Sequence, residues 1–332
     1  MAHPVAAPKF IALACALALI PLLTPTLAAR AASGDASATY PNKPVRLLMG
    51  PAAGGPTDGV GRILASRLSE LWAQPVIIEN RPGAGNTIAT TIAARATADG
   101  YTLLLCPLSD AIAPSVYKLE YDFLRDIGAV SRIGTTANVF VVHPSLPVKS
   151  VQDFIAHAKQ HPGKLDYGAQ GISQAGYLSM ELLKSMAGRI DVNYVAYKAA
   201  SVLTGDLLAG RIHAQITNLP SHLPTIAAGK VRALGVTTPK RDRRLPDVPA
   251  IAETLPGFDV TTWYGICAPA GMPAHLVSKV SADVKQALDT PEVRRRLEGY
   301  GVDPDPSTPQ VFAALLRAET AKWAKVVAEI RR

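Results

Sequence analysis

The residues best able to do chemistry sit in two glycine-bearing turns, each lying between an apolar run and a helical pattern. The first is Ala52-Ala53-Gly54-Gly55-Pro56, followed by Thr57 and Asp58. The second is Ala169-Gln170-Gly171-Ile172-Ser173-Gln174-Ala175-Gly176. Unpaired N–H groups at a helix start point into such a turn, and small side chains let an anion approach them. A tight strand-to-helix turn with no ligand has the same composition, so the turns alone leave both readings open.

Catalysis would need a nucleophile, a base or a metal set. Gly171-Ile172-Ser173-Gln174-Ala175 comes near the G-x-S-x-G elbow of hydrolases, but alanine stands where the last glycine belongs and the surrounding unit is small for that fold. Ser173 reads better as a helix cap or a ligand contact. His157 and His161 share a helix face with no acid placed as in H-E-x-x-H, His143 precedes a proline, and His213, His222 and His275 stand alone. Gly50 to Gly55 does not match G-x-G-x-x-G, and Gly83-Ala84-Gly85 lacks a third glycine. The chain therefore offers rims for an anion and nothing to transform it. No cofactor and no metal are expected.

The elements that must hold these turns follow from hydrophobic period. Val45 to Met49 is a short apolar run suited to a buried parallel strand, with Thr57 or Asp58 placed to cap the helix after it. Val60, Ile63, Leu64, Leu68 and Leu71 recur at helical spacing on one face. Pro75 to Asn80 and Tyr101 to Cys106 predict two more strands, with a small-residue helix over Thr87 to Ala96 between them. Pro107-Leu108-Ser109-Asp110 reads as a further polar turn at a strand end. Alternating strands and helices imply an α/β fold with a mostly parallel sheet, whose ligands bind beyond the carboxyl ends of the strands. From Val139 the pattern restarts. Strands are predicted at Val139–His143, Leu165–Gly168, Asn193–Tyr197, His213–Thr217 and Val231–Thr237, with helices over 150–160, 177–186 and 201–209. Thr261 to Ala268 predicts a strand, and helices near 274–288 and 309–330 close the chain.

Residues 1 to about 32 stand apart. Lys9 precedes the apolar run Phe10 to Leu23, and alanines follow at 28, 29, 31 and 32, the pattern of a cleaved export signal. Some 300 residues remain, enough for two lobes. The formal charge is +8, from 34 basic and 26 acidic residues, and loss of Lys9 and Arg30 leaves +6. The basic residues are scattered, and the densest run, Lys240 to Arg244, contains Asp242, so no nucleic-acid partner is expected and the charge reads as a solvated surface. Cys106 and Cys267 could form a disulfide in an oxidising compartment or be two buried thiols at strand ends, the reading preferred here.

Six segments are more specific. YPNKPVRLLMGPAAGGPTD from Tyr40, VIIENRPGAGNTIA from Val76, ADGYTLLL from Ala98, HPGKLDYGAQG from His161, LPDVPAIAETLPGF from Leu245 and WYGICAPAGMP from Trp263 together resemble the Bug or TctC family, the periplasmic receptors of tripartite tricarboxylate transporters. The resemblance implies a two-lobed periplasmic binding protein of type II, a Venus flytrap closing over a small carboxylate and handing it to membrane permease subunits. It implies ligand contacts at Ala52, Gly54, Gly55, Thr57 and Asp58, at Ser109 and Asp110, at Gly171, Ser173, Gln174 and Ala175, at Tyr197, Lys198, Ala199 and Ser201, and at Asn218. Three positions depart from the family pattern: Ala53 replaces the proline of P-G-G, Ala199 the glycine of Y-K-G, and Tyr177 a common histidine.

The expected division is lobe 1 at 40–138 plus 264–332 and lobe 2 at 139–263, with hinge crossovers near 137–142 and 260–265. A periplasmic monomer is expected. The competing readings are a hydrolase-like α/β enzyme acting on a small anion and a purely structural interaction module.

Overall fold

The computed structural model describes residues 40–330, so the leader expected at 1–32 lies outside the described residues. In chain order the elements are β1 (Val45–Met49), α1 (Pro56–Trp72), β2 (Val76–Asn80), α2 (Thr87–Ala94), β3 (Thr102–Pro107), α3 (Leu108–Val116), α4 (Phe123–Asp126) and β4 (Ile127–Thr136). Then come β5 (Asn138–Val142), α5 (Val151–Gln160), β6 (Asp166–Ala169), α6 (Ala175–Met186), β7 (Asn193–Ala196), α7 (Ala200–Leu208), β8 (Ala214–Asn218), α8 (Leu219–Ala227) and β9 (Arg232–Val236). The chain ends with β10 (Thr262–Pro269), α9 (Ala274–Leu288), α10 (Pro291–Gly299), β11 (Asp303–Pro304) and α11 (Pro309–Ile330).

These form two sheets. The first has the order β11-β4-β10-β3-β1-β2 and the second β7-β6-β8-β5-β9. Both are mixed, where mostly parallel sheets were expected. β1, β2 and β3 pair in parallel, as do β6, β7 and β8, but β10 runs antiparallel to β3 and β4, and β5 antiparallel to β8 and β9. The reason is topological: β4 carries the chain out of the first sheet and β10 brings it back, so the two run opposite ways side by side. β5 and β9 stand in the same relation in the second sheet.

Three apolar layers hold the sheets. One face of the first sheet packs Leu47, Met49 and Ile266 against Val60 and Leu64 of α1 and Val280 and Val284 of α9. Its other face and one face of the second sheet share a continuous core, in which Phe312 and Trp323 of α11 join Leu104 and Cys106 to Phe140 and Tyr167. The outer face of the second sheet is covered by α7 and α8 through Leu203, Leu207 and Leu219. Cys106 and Cys267 are buried free thiols.

Local chemistry sets the ends. Ser150 caps α5 by accepting from the Asp153 N–H, while the Asp153 carboxylate accepts from the Lys149 N–H, so two helix-start donors are satisfied reciprocally. The cap of α1 is Gly55 with Pro56 in the first turn, not Thr57 or Asp58 as expected; proline at this place gives up an N–H that had no helical partner anyway. The polar turn expected at residues 107–110 is absent, because α3 starts directly at Leu108. β4, α4, α8, α10 and β11 show no clear pattern in the sequence.

Candidate functional site

The sheets face each other across a cleft of about 760 Å³. Ala52, Gly54, Gly55 and Thr57 line it from the start of α1, and Pro107, Leu108 and Ser109 from the start of α3. The second lobe contributes Gln174, Ala175 and Gly176 at the start of α6, Ala199, Ala200 and Ser201 at the start of α7, and Asn218, Ser221 and His222 from α8. Five helices thus begin at one cavity. None of their caps, Gly55, Pro107, Gln174, Ala199 and Asn218, accepts a backbone N–H of its own helix through its side chain; the Asn218 Oδ1 accepts only the Ser221 hydroxyl, at 3.3 Å. Asp122 and Ser150, by contrast, cap α4 and α5 through their side chains, and neither lines the cleft. Each helix start presents the positive end of its dipole at this wall. In α8 the Leu219 N–H is already taken by the Ala137 carbonyl at 3.1 Å and Pro220 has none, so its dipole end acts there with fewer free donors.

Among the described residues, no lysine, arginine, aspartate or glutamate lines this cleft. Its polar lining is hydroxyl, amide, backbone and the His222 ring. Asn86 donates to the Ser109 hydroxyl at 2.8 Å, fixing the α3 start against the loop before α2. At the back, Asn138 donates to Thr262 Oγ1 at 3.0 Å and Asn218 to Thr136 Oγ1 at 3.3 Å, which ties together the strands that pass between the sheets. Across the front, the Tyr117 and Ser173 hydroxyls lie 3.3 Å apart, one on each side of the cleft.

Six of the expected contacts stand off the cleft wall. Asp58 is buried and shapes the first turn: it accepts from the Gly54 N–H at 3.0 Å, from Arg62 at 2.8 Å and from Asn80 at 3.0 Å. Burial pulls its carboxyl upward, but those bonds together hold it below its ordinary value. The turn it closes puts Gly54 at φ +88°, a conformation natural to glycine. Asp110 is buried behind Ser109, and burial pushes its carboxyl up to about 8, against partial relief from Asn86, Cys106 and Thr90. Gly171 accepts from the Gln174 N–H inside the second turn, and Ser173 is buried beside Tyr117. The Tyr197 hydroxyl donates to Asp206 at 2.8 Å, and Lys198 projects to solvent.

The near-elbow at Gly171–Ala175 thus has Ser173 hydrogen-bonded to a tyrosine, not a histidine. Lining residues that the sequence reading missed include Asn86, Asn138, Gln215, Thr262 and Tyr264. Gln215 carried a usable signal, since it interrupts the otherwise apolar start of Ala214-Gln215-Ile216.

The run at 240–244 is also more than solvated surface. Arg243 pairs with Asp303 at 2.9 Å, and Arg244 bridges Asp242 at 2.6 Å, Asp303 at 3.2 Å and the Gly301 carbonyl at 2.8 Å. A loop of the second lobe is thereby fastened to the α10–β11 corner of the first.

Known proteins share this sequence and fold. Over residues 60–331 the chain matches the family described as tripartite tricarboxylate transporter family receptor. It is 32% identical over 295 residues to protein BugT of Bordetella pertussis, covering 88% of this chain and 90% of that one. Among solved structures, Rpa4515 of R. palustris with adipate superposes with a TM-score of 0.79 at 36% identity, covering 88% of this chain and 98% of that one. MatC from Rhodopseudomonas palustris with bound malate gives 0.76 at 31% identity, with coverage of 87% and 100%. These relatives are binding proteins, and nothing among them supports the hydrolase reading. The chain belongs to the tripartite tricarboxylate transporter receptor family, a family of solute-binding receptors.

Proposed function

We propose that this protein is exported to the periplasm, works there as a monomer, captures a small carboxylate between its lobes and delivers it to the permease subunits of a tripartite transporter. The observation that carries this reading is the convergence of five helix starts, none capped by its own side chain, on a cavity with no charged lining. A helix start attracts an anion by roughly 0.3–1 kcal/mol when exposed and up to about 2 when partly buried, so several acting together can replace an arginine clamp. The adipate and malate held by the two R. palustris proteins support a carboxylate as ligand class. Gly55, Thr57, Ser109, Gln174, Ser201 and Asn218 are the contacts proposed for it.

Closure is assigned to a hinge at residues 137–142 and 260–265, between lobe 1 at 40–138 plus 264–332 and lobe 2 at 139–263. The passage of β4 into β5 through Ala137 alone, and the return into β10 at Thr262, support this placement. A thermal-shift panel of small carboxylates tests the function. Ligand at a hundred times its Kd adds about 2.7 kcal/mol, an upward shift of roughly 4 °C for a chain of about 300 residues. If no carboxylate in the panel shifts the transition, the receptor reading of this chain's ligand is wrong. Small-angle scattering that showed no compaction on ligand addition would remove the hinge.

A further inference from the structure

In the second lobe, one part of the cleft wall, here the recess, is formed by β8 together with α7 and α8. Strand register puts Gln215 opposite Val141, on the sheet face that α7 and α8 cover. Gln215 and Thr217 floor the recess, and Leu203, Thr204, Ser221 and His222 form its sides. Gln215 is 3% exposed and His222 2%. Among the described residues, Gln215 Oε1 and both ring nitrogens of His222 have no hydrogen-bond partner. No charged side chain lines the recess, and burial alone holds His222 below the ordinary imidazole range, so its ring is neutral near pH 7.

A buried polar group left unpaired costs roughly 1–3 kcal/mol, and native interiors keep few of them. An apolar ligand tail would leave Gln215 and His222 unpaired. A second carboxylate, having no proton, could donate nothing to Gln215 Oε1 and would bring its own negative oxygens against that lone pair. A hydroxyl can donate to that amide oxygen and accept from the imidazole N–H. We propose that the recess receives the far end of the carboxylate ligand, that this end is an uncharged hydroxyl, and that Gln215 and His222 determine this specificity. The inference rests on the carboxylate-receptor reading and adds to it the chemistry of the ligand's second end.

Three acids of equal chain length separate the possibilities: a straight alkyl monocarboxylate, its ω-hydroxy form and the matching dicarboxylate, each titrated calorimetrically over several lengths. At the best length the ω-hydroxy acid should bind about tenfold or more tighter than either partner, the ratio that one satisfied buried polar group supplies. In Gln215→Leu and His222→Leu the alkyl and hydroxy acids should draw level. Both variants should unfold at or above the wild-type temperature without ligand, since each removes a partnerless buried group. A dicarboxylate that binds tightest to wild type and equally well to both variants would overturn the inference while leaving the receptor reading intact. Loss of folded protein in both variants would show that Gln215 and His222 hold internal structure, and would overturn it too. If none of the acids binds at any length, the receptor reading and the inference fall together.

Discussion

Asp110 lies behind the cleft wall, buried at the first turn of α3, and its replacement by asparagine probes how that wall is built. Neither carboxylate oxygen meets a partner at full hydrogen-bond geometry among the described residues, the nearby Asn86, Cys106 and Thr90 only partly offset its burial, and the carboxyl is raised from its ordinary 3.8 to about 8. The folded protein therefore keeps this proton across a range in which the unfolded chain releases it. Because the folded value is the higher one, the stabilisation is complete below about pH 3.8 and is lost as pH rises toward about 8. Each pH unit inside that window costs at most about 1.4 kcal/mol, so between pH 5 and pH 8 wild type should lose up to roughly 4 kcal/mol that the Asp110→Asn protein keeps. Urea unfolding at pH 5, 6, 7 and 8 measures it. The two proteins should be close in stability at the acid end, and the variant increasingly the more stable toward pH 8. Parallel profiles would mean that Asp110 is ionised and paired in the folded state, and the description of a neutral, unpaired acid behind Ser109 would be refuted.

Two further outcomes follow from packing and from the interlobe clasp. A Cβ on Gly176 would collide with the Ile216 carbonyl oxygen, so Gly176→Ala should push α6 off β8 and lower stability by roughly 1–3 kcal/mol in denaturant melts. An unchanged midpoint would show that the helix can yield there. Arg244 is 14% exposed and links Asp242 to Asp303 and the Gly301 carbonyl across the lobes. Arg244→Met should therefore give a larger radius of gyration in ligand-free scattering, and an unchanged scattering curve would mean that this clasp does not restrain opening.

Much of the fold could be read from hydrophobic pattern, because strands such as Val45–Met49 are buried on both faces and read as short apolar runs, while helices such as Ala274–Leu288 bury one apolar face and show it in their spacing. β4 was hidden for a physical reason. Its ten residues alternate only weakly between buried and part-exposed positions, because β10 covers one edge, β11 the other, and α9 and α11 pack against it. Antiparallel pairing was hidden as well, since it follows from the path of the chain between sheets and not from the composition of any strand. Within the site, the turns at 52–57 and 174–175 were legible because small residues before a helix have few other uses. His222 was not, and Gln215 showed only as a break in an apolar strand, because a single polar residue in an apolar strand or helix shows its burial only once the neighbouring elements are in place. The cation-free character of the cleft was partly legible: the turns held no arginine, and Lys198, the one cation among them, points away to solvent.

The central claim is that helix-start N–H groups, not a cation, hold the ligand's charge, and calorimetry on two variants tests it most directly. Gly55 caps α1 at φ −85°, ψ 172°, ordinary extended backbone, and a Cβ there would come no nearer than 3.9 Å to the Ala52 carbonyl oxygen. Gly55→Val should therefore stay folded while its side chain fills the anion's approach, and the affinity for the carboxylate that binds wild type should fall by about a hundredfold or more, equivalent to roughly 2.7 kcal/mol or more. Lys198→Met, which removes an exposed rim charge, should change affinity by no more than about threefold. The opposite order, with Lys198→Met abolishing binding and Gly55→Val nearly unaffected, would contradict recognition by helix starts and favour a cation clamp.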